Sequence, residues 1–278
     1  MSFDLHTHST CSDGSYAPED LIDLAIAEGL QGISITDHDS VNAYPGVIIS
    51  AKQKGIQILP GVEFSTHFNG KSVHILGYSF DFTHPAILDL CIRHEKRRED
   101  RNRKILDKLK QEGIIILEDD LRKTALGVIG RPHIAQLLVK GNYAKNIAHA
   151  FKIYLGDGKR CFVPGYSLSV DESIDAIHQA KGYAILAHPH LFNSRSFAKK
   201  LIEAFPFDGI ESVYSLMTSS QNAFWIEYAN KHHLLKTGGS DFHGAAKPDL
   251  KLGAAKVEWE YAELLFSQFY SNFSEYRP

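Results

Sequence analysis

The first eight residues contain the pattern with the clearest chemistry. Phe3 and Leu5 alternate with polar neighbours as in a short strand, and this alternation places His6 and His8 on the same side. Two imidazoles in that arrangement can bind one metal ion. A single His-x-His pair is equally compatible with a polar strand surface, so the interpretation depends on the rest of the chain.

Other apolar segments end abruptly in imidazole or carboxylate side chains. Segment 32–39 ends in Thr-Asp-His-Asp, segment 56–63 ends in Gly-Val-Glu, and segment 234–243 ends in Ser-Asp-Phe-His. Strand candidates at 73–78 and 183–189 carry one histidine each. The residues with ligand chemistry on these strands or at their ends are His6, His8, Asp37, His38, Glu63, His74, His188, Asp241 and His243.

Amphipathic helical patterns alternate with these strands. The first begins at Pro18 and ends at Gly29, and later ones are predicted at about 44–55, 171–181 and 221–232. Such alternation is typical of parallel crossover units, and about seven strands would close most simply as a parallel (β/α)7 barrel, an α/β fold. Barrels of this kind carry their chemistry at the C-terminal ends of the strands, so the ligand-type residues are expected to converge at one rim.

The alternation stops between about 83 and 165. A long charged helix is predicted from Pro85 to Glu112, and further helical segments follow, with little strand signal apart from Ile114–Ile116. We therefore divide the chain into a barrel domain, residues 1–82 and 166–278, and a helical insertion, residues 83–165, that would help to recognise the substrate.

Convergence of so many polar groups requires a common cause. Burying them at one rim would cost several kcal/mol apiece unless cations compensated their charges. Imidazole and carboxylate without thiolate suit zinc, manganese or iron. About nine donors exceed the needs of one ion, so two or three divalent ions are expected.

Composition narrows the remaining classes. The chain has 278 residues, 44% of them hydrophobic, and a net charge of −3 with no long run of one sign, so bulk electrostatics does not indicate a nucleic-acid or membrane partner. We find no leader and no membrane-spanning stretch, and we predict a cytoplasmic protein. Cys11, Cys91 and Cys161 are far apart and are expected to be reduced. A Gly-rich phosphate loop, a Gly-x-Ser-x-Gly motif and a Cys-His pair are all missing, which argues against a side-chain nucleophile.

The motifs, in their order and spacing, resemble the polymerase and histidinol phosphatase (PHP) family over nearly the whole chain. The resemblance is carried by His6-x-His8 with Asp13, Thr36-Asp37-His38, Gly61-Val62-Glu63, the strand of His74, Ala187-His188-Pro189 and Ser240-Asp241-x-His243. It implies a distorted seven-stranded barrel with a trinuclear metal centre that hydrolyses phosphoesters. A metal-activated hydroxide held by His6, His8, Glu63 and Asp241 would be the nucleophile.

The resemblance also implies how the ligands are shared. The implied sets are His6, His8, Glu63 and Asp241 for one ion, Asp13, His38 and His243 for a second, and Glu63, His74 and His188 for a third. Asp37 would orient its neighbour His38 rather than bind metal. We take Mn²⁺ as the first choice, with Zn²⁺ or Fe²⁺ as alternatives.

Arginines in the insertion are candidates for substrate binding. Arg98 and Arg101 share a helix face, and a guanidinium fork suits phosphate, although a solvated face pairing with nearby acidic residues is equally compatible with this pattern. The turn Gly130-Arg131-Pro132-His133 is a second candidate. The insertion resembles that of PHP proteins acting on nucleoside 3',5'-bisphosphates and 5'-phosphorylated short RNA. That resemblance implies that Arg98, Arg101, Arg131 and His133 hold the terminal phosphate.

Two loops depart from the family pattern. His190 and Leu191 follow Ala187-His188-Pro189 where Gly-Arg is frequent, and Ser-Val-Tyr follows Glu211 where a further histidine is common. His190 could act as an acid near the leaving group or cap the following segment, and we favour the cap. Glu211 could support a ligand or be structural.

The sequence thus favours a metal-dependent phosphoesterase acting on nucleoside bisphosphates or short 5'-phosphorylated RNA, with no membrane and no obligate protein partner. A small-metabolite phosphatase, such as histidinol-phosphatase, is the alternative if Arg98 and Arg101 face away from the metals. An amidohydrolase would need a lysine at a strand end near the ligands. A catalytically silent PHP module would be expected to have lost ligands. The aromatic C-terminal segment, 257–278, is predicted to pack on the barrel.

Overall fold

The strands of the computed structural model, which describes residues 2–124, 127–164 and 168–278, form two sheets. Within those residues the strands are β1 (Ser2–Thr7), β2 (Gly32–Ile35), β3 (Gln57–Ile58), β4 (Gly61–Phe68), β5 (Lys71–Tyr78), β6 (Leu168–Ser169), β7 (Tyr183–Leu186), β8 (Gly209–Tyr214), β9 (Leu235–Gly239) and β10 (Val257–Glu258). One sheet has the order β10-β1-β2-β3, and the other has the order β6-β4-β5-β7-β8-β9.

Helices follow most strands, as predicted. They are α1 (Pro18–Ala27), α2 (Tyr44–Lys54), α3 (Pro85–Gln111), α4 (Glu118–Arg122), α5 (Arg131–Lys140), α6 (Ile147–Ala150), α7 (Val170–Gln179), α8 (Arg195–Ala204), α9 (Ser219–Lys231) and α10 (Trp259–Asn272). The mixed α/β class with parallel strand pairs is therefore confirmed. In the described part of the chain, no helix combines the length and apolarity needed to cross a bilayer.

The strand directions differ from the expected all-parallel order. β4 and β5 form an antiparallel hairpin, and β5 also pairs antiparallel with β7. The cause lies in Asn69-Gly70, whose φ angles of 48° and 76° give the two left-handed residues of a tight hairpin turn. Because β5 runs in the opposite direction, His74 in its first half lies near the C-terminal ends of the parallel strands. The position of His74 at a C-terminal strand end was thus wrong, although the rim is the expected one.

The two sheets meet at the same rim through single bridges. Thr7 bridges Phe242, and His38 bridges Glu63, both in parallel orientation. Continuous pairing around a closed barrel is not found among the described residues, and ten strands rather than seven are present there. The closed seven-stranded barrel stays a prediction.

The described hydrophobic residues form two clusters. The larger cluster fills the space around the sheets and includes Phe266 and Phe269 of α10, which confirms that the C-terminal aromatic segment packs on the sheets. The smaller cluster lies within the insertion and is built on residues such as Ile105 and Leu138. Ile114 joins it without forming a strand. The division at 82 and 166 stays a prediction, and its second boundary at 165–166 lies outside the described residues.

Glycines bring β9 directly against β1. A Cβ atom on Gly239 would lie 2.4 Å from the backbone nitrogen of His6, and one on Gly238 would lie 2.3 Å from the carbonyl oxygen of Val213. The Gly-Gly pair thus allows the strand preceding Asp241 to approach its neighbours closely. The three cysteines are free, as predicted.

Replacement of Gly239 by alanine is expected to lower the free energy of unfolding by about 2 kcal/mol or more, since backbone atoms cannot move away from the added methyl group. Gly46→Ala is the matched control. Its Cβ would meet only the tip of the Glu19 side chain, and alanine favours helix α2. Denaturant unfolding measures both, and equal stability of the two variants would contradict the tight approach of β9 to β1.

Candidate functional site

Nine side chains expected as metal ligands converge at the rim where the two sheets meet. Nitrogen and oxygen atoms of eight of them form three groups, in each of which the atoms lie within 4.8 Å of one another. The groups are His6, His8, Glu63 and Asp241; His8, Asp13, His38 and His243; and His38, Glu63 and His74. Most of these residues are buried.

Glu63 lies at the centre of the three groups. Its Oε2 atom is 3.1 Å from His8 Nε2 and 3.2 Å from both His6 Nε2 and His38 Nδ1. Its Oε1 atom is 2.7 Å from His74 Nδ1 and 2.9 Å from His188 Nε2. One carboxylate therefore contacts five imidazoles, which is the arrangement that a bridging ligand requires.

The groups differ in detail from the implied ligand sets. His8 also belongs to the group of Asp13, and His38 joins that of His74. His188 contacts Glu63 without meeting the mutual distances of a group. The sharing of ligands among ions stays a prediction.

The donor atoms suit cations. His8 Nε2, His38 Nδ1 and His243 Nε2 are buried and make no hydrogen bond among the described residues, although carboxylate oxygens lie 3.1–3.3 Å away. Burial would raise the pKa of Glu63, but His38, His74 and His6 hold it well below its usual range. The surrounding imidazoles likewise hold the pKa of Asp13 well below its usual range despite burial. Ionised carboxylates and unpaired imidazole nitrogens facing one space are what hard or borderline dications bind.

Two buried carboxylates fix the elements that carry these donors. Asp37 accepts hydrogen bonds from the Ser9 backbone at 2.8 Å and from the Ser12 hydroxyl at 2.6 Å, and it belongs to none of the three groups. Glu211 contacts His6 Nδ1 at 2.8 Å and accepts from the backbone nitrogen of His188 at 2.6 Å. The first contact makes Nδ1 the protonated nitrogen and leaves His6 Nε2 free for a metal. The side-chain hydrogen bonds of Asp37 thus fix the loop that leads to Asp13, and not the side chain of His38 as expected.

Tyr214 and Lys247 hold Asp241. The Tyr214 hydroxyl and the Lys247 ammonium donate to Asp241 Oδ2 at 2.6 Å and 2.8 Å, while Oδ1 lies 3.3 Å from His8 Nε2. Neither Tyr214 nor Lys247 was predicted from the sequence to belong to the site. Lys247 follows the short helical turn Gly244–Ala246 and lies outside the strands, so it is not the strand-end lysine expected of an amidohydrolase.

Arg98 reaches the rim from α3. It donates from Nε and Nη2 to Asp39 Oδ2 and from Nη2 to the Ser65 hydroxyl, with the Nε distance 2.7 Å. Asp39 is fully buried and directly follows His38, so the guanidinium lies beside the candidate ligands. The alternative of a solvated face paired with nearby acidic residues is therefore wrong for Arg98. No role was predicted for Asp39 from the sequence, although it is the last residue of the Thr-Asp-His-Asp motif.

Arg101 and Arg131 add positive charge near Arg98. The Nε atom of Arg101 is buried without a hydrogen-bond partner among the described residues. Burial and the charges of Arg98 and Arg131 lower the pKa of Arg101 to about 9. Arg131 donates to the Leu155 carbonyl at 3.2 Å and lies against the ring of Phe151. Three neighbouring guanidinium groups, one of which has an Nε atom without a partner among the described residues, indicate a site for an anion.

His133 stabilises the start of α5, where the insertion contacts the rim. Its Nδ1 atom accepts from the backbone nitrogen of Gly130 at 3.0 Å and so caps α5. Its side chain is buried, and burial lowers its pKa. The neighbouring Val128 donates to the carbonyl of Cys11 at 3.0 Å, which ties the insertion to the loop before Asp13.

His190 does not cap the following helix, so that prediction was wrong. Ser194 caps α8 instead, accepting from the backbone nitrogen of Phe197. Both ring nitrogens of His190 are buried without partners among the described residues, and its ring packs against Tyr214 with 4.5 Å between centroids and an angle of 46° between the ring planes.

Known proteins share this fold and these motifs. The model of the PHP domain family matches residues 4–159. A 5'-3' exoribonuclease from Haemophilus influenzae is 38% identical over 245 residues, covering 87% of this chain and 89% of the relative. A 3',5'-nucleoside bisphosphate phosphatase from Chromobacterium violaceum is 30% identical over 258 residues, covering 91% of this chain and 90% of the relative. A solved structure from Bifidobacterium adolescentis, described by inference as a metal-dependent phosphoesterase, has a TM-score of 0.87 at 28% identity and covers 96% of each chain.

The fold and the three donor groups define an α/β protein with a candidate metal centre. The chain belongs to the PHP domain family, which confirms the resemblance found in its motifs.

Proposed function

We propose that this protein is a divalent-metal-dependent phosphoesterase that hydrolyses nucleoside 3',5'-bisphosphates, 5'-phosphorylated short RNA, or both. The observation that carries the proposal is the buried Nε of Arg101, which has no hydrogen-bond partner in the described part of the chain and lies near Arg98 and Arg131 beside the rim of candidate metal ligands. The relatives from Haemophilus influenzae and Chromobacterium violaceum, whose names give RNA and bisphosphate chemistry, support it.

The proposed metal ligands are His6, His8, Asp13, His38, Glu63, His74, His188, Asp241 and His243. When bound, two or three divalent ions would activate a water molecule and neutralise charge on the phosphoryl oxygens. We propose Mn²⁺ first, with Zn²⁺ or Fe²⁺ as alternatives. Glu211, Tyr214 and Lys247 hold His6 and Asp241 in place for this task.

The arginines select the substrate by its terminal phosphate. Arg98 uses one edge of its guanidinium for Asp39, and this contact fixes the side chain beside His38. Arg101 and Arg131 complete a positive site that a dianionic 5' phosphate would neutralise. With that phosphate held, the 3' phosphate of the same nucleotide would reach the metal ligands.

The rival functions fit less well. A small-metabolite phosphatase would leave the arginines facing away, whereas Arg98 contacts the residue after His38. A silent module would be expected to lose ligands, whereas the nine residues are kept. The seven-stranded barrel, the cytoplasmic location and the lack of an obligate protein partner stay predictions.

A substrate comparison tests the proposal. With Mn²⁺ supplied, a nucleoside 3',5'-bisphosphate and a short RNA with a 5' phosphate are each compared with the 5'-hydroxyl counterpart. We expect hydrolysis that depends on the 5' phosphate and is abolished by a chelator. Equal rates with and without the 5' phosphate would remove the nucleotide assignment but retain the phosphoesterase, and inactivity on every phosphoester would support the silent module.

A further inference from the structure

A cluster of polar residues lies beside Asp241, on the part of the rim formed by β7, β8 and β9. We call His190, Tyr214 and Lys247 the Asp241 cluster. The Tyr214 hydroxyl and the Lys247 ammonium meet at Asp241 Oδ2, and the His190 ring packs against the Tyr214 ring. Each member follows or ends a different strand, and these strands are neighbours in the six-stranded sheet.

His190 is the member without a structural task. A neutral imidazole has one hydrogen-bond donor and one acceptor, and here both nitrogens are buried with no partner among the described residues. Leaving two such groups unsatisfied destabilises the folded protein. A residue that carries this cost and does not cap a helix has the features of a side chain awaiting a ligand.

The arginines contact another part of the rim. Arg98 bonds Asp39, after β2, and Ser65, on β4. A series of contacts separates it from the Asp241 cluster: His38 to Glu63 at 3.2 Å, Glu63 to His6 at 3.2 Å, and His6 to Asp241 at 3.5 Å. The candidate metal ligands therefore lie between the arginines and the Asp241 cluster.

This arrangement determines which part of a substrate reaches each group. In this arrangement the 5' phosphate lies on the arginines and the 3' phosphate lies over the metal ligands. Any chain continuing beyond the 3' phosphate would extend toward the Asp241 cluster. An RNA has such a continuation, whereas a nucleoside bisphosphate ends at the phosphate. Both would release the same nucleoside 5'-monophosphate after cleavage of the bond between phosphorus and the 3' oxygen.

We propose that the Asp241 cluster, through His190, binds the nucleotide that follows the scissile phosphate and thereby favours RNA over nucleoside bisphosphates. The 2'-hydroxyl and the base edges of that nucleotide offer both donors and acceptors, which match a neutral imidazole. Lys247, whose side chain is 44% exposed, adds positive charge for the polyanionic chain. This inference rests on the proposed function.

His190→Phe tests the proposal because it keeps a ring that packs against Tyr214 and removes both nitrogens. The substrates are adenosine 3',5'-bisphosphate and a 5'-phosphorylated diadenosine ribonucleotide. We expect KM for the dinucleotide to rise about tenfold and KM for the bisphosphate to change less than about twofold. His190→Asn, which retains a donor and an acceptor, should recover part of the dinucleotide affinity.

Leu191→Ala is the matched control, because Leu191 lies in the same short helical turn with 52% of its surface exposed. Metal content and the unfolding temperature of each variant are measured in parallel. We expect unchanged metal content, and an unfolding temperature for His190→Phe that is equal or higher because two unsatisfied buried groups are removed. Direct binding of the dinucleotide to chelator-treated protein should weaken in His190→Phe, while binding of adenosine 5'-monophosphate should not.

Several results would overturn the proposal. Equal losses on both substrates would assign His190 to the chemistry shared by them, and loss of metal would make it a ligand. Unchanged kinetics on both would show that the ring has no role in binding. If the wild-type protein hydrolysed neither substrate, the proposed function itself would fail, and a dinucleotide affinity unaffected by His190→Phe would then remove this inference as well.

Discussion

Glu63→Gln is expected to reduce phosphoester hydrolysis at least about a thousandfold and to lower the number of metal ions bound per chain. Glu63 contacts five histidines with its two carboxylate oxygens, and glutamine keeps the shape while removing the charge that two neighbouring cations would share. Loss of a bridging carboxylate removes several kcal/mol of charge stabilisation, and about 4 kcal/mol corresponds to three orders of magnitude in rate. Steady-state kinetics and elemental analysis of the purified protein measure the two effects.

The same chemical change at an exposed position provides the control. Glu227 lies on the exposed face of α9, so Glu227→Gln should retain both activity and metal. Glu63→Gln protein that is folded by circular dichroism, metal-replete and fully active would contradict the central role of Glu63.

Arg101→Met is expected to lower kcat/KM about a hundredfold for substrates with a 5' phosphate while leaving the 5'-hydroxyl counterparts unaffected. Methionine keeps an unbranched side chain and removes the charge, and a charge-assisted contact to phosphate contributes about 1.5–3 kcal/mol. The free energy of unfolding should be equal or higher, because the Arg101 Nε is buried beside two other arginines and no described residue partners it.

Arg103→Met is the comparison of choice for this experiment. Arg103 lies on the same helix, is 56% exposed and pairs with Asp100 at 3.2 Å. Arg103→Met should leave kcat/KM for the 5'-phosphorylated and the 5'-hydroxyl substrates at their wild-type values. If Arg101→Met weakened 5'-phosphorylated and 5'-hydroxyl substrates equally, Arg101 would support the fold or the rim rather than recognise the phosphate.

Local sequence patterns were enough to find eight of the nine candidate metal ligands, because each of the eight lies on or within a few positions of an apolar strand. Asp13 was added, and Asp37 was set aside, only on the resemblance to the PHP family. Arg98 and Arg101 were found in the same way, from their shared face on a predicted helix. The helices at 18–27, 44–54 and 85–111 agree closely with their patterns because Pro begins or nearly begins each of them.

Contacts between distant segments could not be found in this way. Glu211 and His6 are 205 residues apart, and Tyr214 and Asp241 are 27 apart, so no local spacing connects them. The antiparallel direction of β5 was missed for a different reason. Asn69-Gly70 is a strong signal for a two-residue turn, but the regular alternation of strands and helices elsewhere suggested another parallel strand.

The order of β6, β4 and β5 bears on how such proteins diversify. β5 precedes the insertion and β6 follows it, and both are neighbours of β4. Tyr78 at the end of β5 lies opposite Gly61, and Leu168 at the start of β6 lies opposite Thr66. The ends of the inserted segment are thus two strand spacings apart across β4 and five residues apart along it, or about 20 Å. A gap of this size can be spanned by segments of many lengths, so genetic exchange could replace the whole segment while the ligand-bearing strands stay intact. A newly acquired segment would need to recreate only a few anchors, such as those that Arg98 makes with Asp39 and Val128 makes with Cys11.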